Sequence, residues 1–419
     1  MLTSQQLCDF LDASVTPFHA AQTMQSYFVS RGFEVLDEAQ AWELKAGEGY
    51  VVVRNGSALI AFVMPHDTAQ GWRILGAHTD SPALRLKPKP QSTKAGMVVW
   101  SAEVYGGVLL NPWFDRALGV AGRVSTLDAH GEVSHTLVRS ESAVGIIPSL
   151  AIHLDPNANT NRTINAQKEL SAVVGIEGSI EWERYVATLA QLPQGAQLLG
   201  HELYFYDTQK ASTLGVEKSL ITSARLDNLL SCFMGMHALV DARQEATMVV
   251  FNDHEEVGSD TFAGANGNFL TSVWERIVGD ASMRSRAASQ SLFVSTDNAH
   301  ALHPNYIDVH EANHAPLLGR GMVLKHNANQ NYSTNATSEA YLRQAALAAN
   351  VPLQSYVVRS DMRCGSTIGP MTSARMGMAS VDIGVPTWSM HSIRETAHFG
   401  DILAGYSLLR ALLERTWKK

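Results

Sequence analysis

Cysteine is almost missing from this chain: three in 419 residues, Cys8, Cys232 and Cys364, far apart from one another. An odd, widely spaced set excludes a disulfide framework and points to a reducing compartment. It also lacks the paired spacing of a structural zinc site. Lysine and arginine form no run, and the formal net charge is −8, so the basic footprint that nucleic acid requires is absent. No apolar stretch approaches membrane-spanning length. The opening "MLTSQQLCDFLDASVTPFHAA" reads as an amphipathic helix and lacks the charged flank and apolar core of a signal peptide. No internal repeat or low-complexity segment occurs. The sequons at Asn161, Asn331 and Asn335 read as accidental. These absences give the expectation of a soluble, cytoplasmic protein with no nucleic-acid or membrane partner.

What is present suits a large globular core. Hydrophobic residues make up 45% and charged residues 17%, and the length exceeds one typical domain. Strand-like runs "GYVVVR", "ALIAFVM" and "WRILGAH" follow a helix containing "AAQTMQSYFVSRGF". The second half repeats that texture, with "ATMVVFNDHEE" and "SLFVSTDNAH" as buried strands and "NLLSCFMGMHALVDAR" and "SEAYLRQAALAAN" as helices. Continuous apolar strands between amphipathic helices predict an α/β sandwich with a largely buried sheet. From Pro88 to Gln209 the pattern changes to short alternating pieces with Gly, Asn and Asp between them, and "LDPNANTNRTINAQKE" reads as a long loop. The expected organisation is a discontinuous α/β domain, 1–87 and 210–419, carrying an inserted β-rich domain, 88–209.

Acidic and imidazole side chains recur where apolar runs end. In "ILGAHTDSP", His78 and Asp80 sit two apart and face one side of an extended segment; a ligating His commonly has its other ring nitrogen oriented by such a carboxylate. A solvated turn explains the stretch equally well. Asp227 in "TSARLDNLLSCF" stands before a helix, where it or Asn228 would also serve as a cap. In "FNDHEEVGSD", Glu255 and Glu256 stand at the end of an apolar strand, where burying either unpaired anion costs several kcal/mol or shifts its pKa. Asp297 follows "FVST", and His391 follows "VPTW", with His398 as its competitor. Separately, each has an ordinary structural explanation. Together, two imidazoles and three carboxylates at strand C-terminal ends suit a pair of divalent cations with one bridging carboxylate, as in two-metal hydrolases.

The segments "GAHTDSP", "ARLDN", "NDHEEVGS", "STDNAH", "DMRCGSTIGP" and "MHSIRE", in this order and over nearly the whole chain, resemble the aspartyl aminopeptidase family of zinc exopeptidases. The resemblance implies a zinc-exopeptidase-like α/β/α catalytic domain with a mixed sheet, plus an inserted dimerisation domain. It implies two divalent ions, zinc in the first place with Mn2+ or Co2+ as alternatives. His78, Asp227 and Asp297 would hold one; Asp227, Glu256 and His391 would hold the other, which decides against His398. Glu255 would be the general base and Asp80 would orient His78. Lys325 would offer a cation to an acidic first residue of the substrate. Tyr332, Gly365, Ser366 and, from the insert, His153 would line the substrate site, although a core histidine is an alternative for His153. A phosphate cradle is excluded at "CGSTIGP", where the lysine of a P-loop is missing. The family's usual Arg is Asn331 here, which leaves strict acidic preference open. The partners implied are short peptides and further copies of the chain, in a tetrahedral dodecamer built from dimers. A metal-dependent deacylase of small N-acyl compounds is the alternative enzyme. A non-enzymatic scaffold is disfavoured by the complete ligand set.

Overall fold

The structure, a computed structural model, describes residues 2–193 and 195–414. The chain divides into two units. One comprises Met1–Asp80, Ala211–Met390 and Glu395–Lys419; the other comprises Ser81–Lys210 and His391–Arg394.

The first unit is built on a nine-stranded sheet. Its strands are β1 (Phe33–Leu36), β2 (Gly49–Arg54), β3 (Ala58–Val63), β4 (Arg73–His78), β5 (Thr247–Asn252), β6 (Leu292–Thr296), β7 (Met322–Lys325), β8 (Leu353–Tyr356) and β9 (Ala379–Gly384), in the spatial order β1-β2-β3-β5-β4-β6-β9-β7-β8. The sheet is mixed: β5, β4, β6 and β9 run parallel, whereas β3 is antiparallel to β5 and β7 is antiparallel to β9. β3, β4, β5, β6 and β7 are buried from end to end because both faces of the sheet are covered there. Val51, Leu59, Ala61, Leu75, Val249 and Phe251 face one layer of helices: α1 (Ser4–Ala13), α2 (Pro17–Ser30), α3 (Leu226–Ala242), α6 (Ala336–Ala349) and α8 (Phe399–Glu414). Their neighbours Tyr50, Val52, Ile60, Phe62, Ile74, Met248 and Val250 face α4 (Phe269–Val278), α5 (Ala281–Gln290) and α7 (Ile368–Met376). The period of two thus divides one apolar run between two cores. A smaller five-stranded sheet, Ser212–Leu214, Leu220–Ser223, Glu395–His398, Pro386–Trp388 and Ala299–His300, completes this unit.

The second unit is a six-stranded antiparallel sheet whose core holds Trp100 edge-on to Trp182, ring centroids 4.9 Å apart. It starts at Ser81, not at Pro88. The strand Ala83–Lys94 is continuous: Leu84 and Leu86 are core residues, and Ala83 pairs with Tyr105. Alternation is masked in the sequence by "RLKPKP". The polar stretch after His153 is a loop that ends in the short helix Ala166–Glu169. His391–Arg394 joins this unit through Ile393, which packs in its core, and through the Leu109 N–H donated to the His391 carbonyl (3.1 Å).

Candidate metal centre

β5, β4 and β6 are adjacent and parallel, so their C-terminal ends open on one edge of the sheet. That edge is where open α/β sheets bind ligands. His78 is the last residue of β4, Asp297 follows β6, and the segment after β5 carries Glu255 and Glu256. Asp227 lies at the start of α3, where Asp227 and Asn228 depart from helical geometry and no side chain caps the helix. The capping alternative for Asp227 therefore does not hold. Its backbone N–H donates to Glu395 Oε2 (3.0 Å), and Asn228 Nδ2 donates to the Thr296 carbonyl (2.8 Å).

The glutamates do not extend β5, as their position after "MVVF" suggests. Asn252 ends the strand, His254 adopts φ +62°, and Glu255–Val257 forms a single 3₁₀ turn. The fixed anchor of this turn is Asp80: its Oδ1 accepts the Glu255 N–H and its Oδ2 the Glu256 N–H, both at 3.1 Å. Asp80 also meets His78, with its carbonyl 3.1 Å and its carboxylate 3.4 Å from Nδ1. One buried carboxylate thus sets the orientation of three candidate residues, of which sequence suggested only His78.

Around His78 Nε2 stand Asp227 Oδ1 at 3.6 Å, Asp297 Oδ1 at 3.7 Å and Glu255 Oε2 at 3.9 Å. Two donor groups of metal-binding dimensions result, His78–Asp227–Asp297 and His78–Glu255–Glu256, with ligand atoms within 4.8 Å of one another. Burial pushes the Glu255 carboxyl up to about 8 and Glu256 well above the usual carboxylate range, with neighbouring carboxylates adding to the shift. Burial opposes charge on His78 too, yet the carboxylates of Asp297, Asp80 and Glu255 raise it well above its ordinary value. Burial would also raise Asp297, but Lys325 and His78 hold it below the usual range. Raised carboxylates, concentrated without matching cations, mark a place that favours added positive charge. The oxygen and imidazole donor set fits a first-row divalent ion, which replaces those protons.

Lys325 ends β7, is 2% exposed, and its Nζ donates to Asp297 Oδ2 at 3.2 Å. The Tyr332 ring lies 5.3 Å from that Nζ. Gly365 and Ser366 sit on the exposed loop before α7. In the second unit, His153 is exposed on a loop, which excludes the core-histidine alternative. His391 adopts φ +68° with Nδ1 3.0 Å from the Gly107 carbonyl. His398 instead engages the Gly400 N–H and belongs to no metal-sized donor group among the described residues. Sequence reasoning missed Glu395. Its position four residues after His391 carries no spacing signal, and only the pairing of its strand with Leu220–Ser223 brings it to Asp227.

A buried mixed sheet that gathers one imidazole and several carboxylates at its C-terminal edge defines a metal-dependent hydrolase of the zinc-exopeptidase class. Residues 10–413 match the family model described as Aminopeptidase I zinc metalloprotease (M18). The chain belongs to this M18 family of zinc aminopeptidases, hydrolases of peptide bonds. It is 47% identical over 407 residues, 95% of each chain, to the probable M18 family aminopeptidase 2 of Ectopseudomonas mendocina strain ymp. The protein of the same name in Pseudomonas aeruginosa strain UCBPP-PA14 is 46% identical over 408 residues, again 95% of each. Among solved structures, a chain of the Ape4 and Nbr1 complex superposes with a TM-score of 0.94 at 36% identity, covering 98% of this chain and 85% of that one. The S. cerevisiae mApe1 dodecamer gives 0.84 at 27% identity, covering 97% and 95%. Among the described residues no helix is long and apolar enough to cross a membrane.

Proposed function

We propose that the protein is a two-metal aminopeptidase that removes N-terminal residues from short peptides, preferring Asp and Glu. The observation that carries this reading is the convergence of Asp227, Glu255 and Asp297 on His78 Nε2. His78, Asp227 and Asp297 hold one ion, and Asp227, Glu256 and His391 hold the other, with Zn2+ as the first choice. When bound, such ions acidify water and polarise the scissile carbonyl. Glu255 is the general base: its carboxyl, raised by burial, takes a proton from the attacking water and passes it to the departing amine. Asp80 holds Glu255 in place through its backbone N–H and orients His78. Lys325 and Tyr332 supply the polar side of the first-residue site, with Gly365, Ser366 and an exposed His153 completing it. The protein works in the cytoplasm as a homo-oligomer. The mApe1 dodecamer supports that assembly, as do the exposed Leu150, Ile152 and Leu154 of the second unit.

A substrate panel tests the reading: aspartyl, glutamyl, leucyl and N-acetyl chromogenic substrates, each with chelator and with added Zn2+, Mn2+ or Co2+. Turnover of the acidic aminoacyl substrates, lost with chelator, is expected. Turnover of the N-acyl compounds alone replaces the proposal by deacylation.

A further inference from the structure

The segments that follow β7 and β8 enclose a cavity of about 560 Å³ within the first unit. Its lining includes Arg359, Arg363, Asn327, Asn329 and Asn331, and contains no carboxylate. Apolar residues, Val357, Val358 and Met362 among them, form the rest of the lining, so in a chain with a formal net charge of −8 the polar groups that face the cavity, two guanidiniums and three amides, favour an anion. The two arginines are not equivalent. Arg359 is paired with Asp361 through two contacts, 3.0 and 2.7 Å, and donates to the Asp308 carbonyl, so it is fixed as wall. Arg363 is exposed and makes no ion pair or side-chain hydrogen bond among the described residues. Its fork is available to a ligand.

The walls are built before any ligand arrives. The fully buried Asp382 accepts hydrogen bonds from the Ser333 N–H and hydroxyl, both at 2.6 Å, and from the Thr367 hydroxyl at 2.5 Å. Ser333 closes the segment after β7 and Thr367 closes the segment after β8. One carboxylate therefore clamps both sides of the cavity. A row of side-chain contacts connects its wall with the metal centre. Lys325 pairs with Asp297, Tyr332 lies over Lys325, and Cys364, packed beside Tyr332, lines the cavity.

We propose that this cavity is an anion subsite for a carboxylate of the peptide downstream of the bond that is cut. The proposal rests on the aminopeptidase reading. In an aminopeptidase nothing precedes the first residue, whose own side chain ends at Lys325. Extended chain advances roughly 3.3–3.6 Å per residue, so the residues after the cut bond are those that reach beyond Tyr332 to Arg363. The carboxylate is either the side chain of a following acidic residue or the C-terminus of a short peptide. The substrate class is thereby narrowed to short acidic peptides.

The test compares kcat/KM of the metal-loaded enzyme on Asp-Glu-NH2 against Asp-Gln-NH2, and on Asp-Ala-OH against Asp-Ala-NH2. A preference for the charged member of on the order of tenfold, carried by KM, is expected in at least one pair, since a charge-assisted hydrogen bond is of that size. The pair that shows it identifies the source of the carboxylate. The preference falls towards unity in Arg363→Gln, inverts in Arg363→Glu and is partly retained in Arg363→Lys. Equal rates within both pairs, or a preference unchanged in Arg363→Gln and Arg363→Glu, overturns the subsite while leaving the aminopeptidase reading intact. Failure of that reading looks different: none of the four dipeptides is cleaved.

Discussion

At the scale of single residues, Asp80 binds the backbone N–H groups of two adjacent glutamates and fixes their turn, and the proposed mechanism gives the two side chains different duties. Glu255→Gln keeps shape and hydrogen bonding but loses the base. It is expected to retain its metal while kcat falls by about 10²–10⁴, measured by turnover beside elemental analysis. Asp80→Ala is expected to act differently, weakening metal affinity by about 10–100-fold as well as kcat, because His78 and the turn lose their common anchor. The places of His78 and Asp297 at strand ends were legible in the sequence, since each closes a strand-like run, but their pairing at one edge was not. Asp227 was legible only as an ambiguity, because a ligand and a cap occupy the same place before a helix. Glu395 was not legible, since its partner Asp227 is 168 positions away along the chain.

At the scale of elements, the sandwich was read from periodicity, but the ends of its strands were not. The turn after β5 depends on the left-handed His254, a conformation that no local signal announces. Close approach at the end of β9 has the same character. A Cβ on Gly384 would stand 1.9 Å from the Asp297 carbonyl oxygen, a backbone atom that cannot move aside alone. Gly384→Ala is therefore expected to destabilise by about 1–3 kcal/mol and to lower metal affinity, read from urea midpoints and metal titration. Helix packing predicts an acid limit of stability. His237 on α3 lies 2.7 Å from the Tyr27 hydroxyl on α2, and burial lowers its pKa from 6.5 to about 4. Below pH 6.5 the unfolded chain takes up a proton that the folded one refuses until about pH 4. Stability is accordingly lost as pH falls through that window, by up to about 3 kcal/mol. The urea midpoint should drop between those pH values, and His237→Gln should flatten the drop.

At the scale of the whole molecule, composition offers no membrane-spanning apolar run, no basic run and no paired cysteines, and the change of texture in the middle of the chain announced a second unit. The exact start of that unit, and the return of His391–Arg394 to it, depend on strand pairing and on Ile393 packing that composition does not encode. Leu150, Ile152 and Leu154 are exposed together on one loop of this unit, with Leu154 at 70%. Isolated apolar residues at a surface need no explanation, but a row of them marks a contact. Leu154→Asp is expected to reduce the mass of the assembly seen by light scattering, without lowering the unfolding temperature of the subunit.

Catalysis is proposed to depend on ions held among His78, Asp227, Glu256, Asp297 and His391, and the most direct measurement is turnover of an aspartyl anilide by chelator-treated protein as Zn2+ is returned. No turnover before addition, recovery complete at two ions per chain, and no recovery in Asp227→Ala are the results expected. Full turnover in the chelated protein, or in Asp227→Ala, would contradict it.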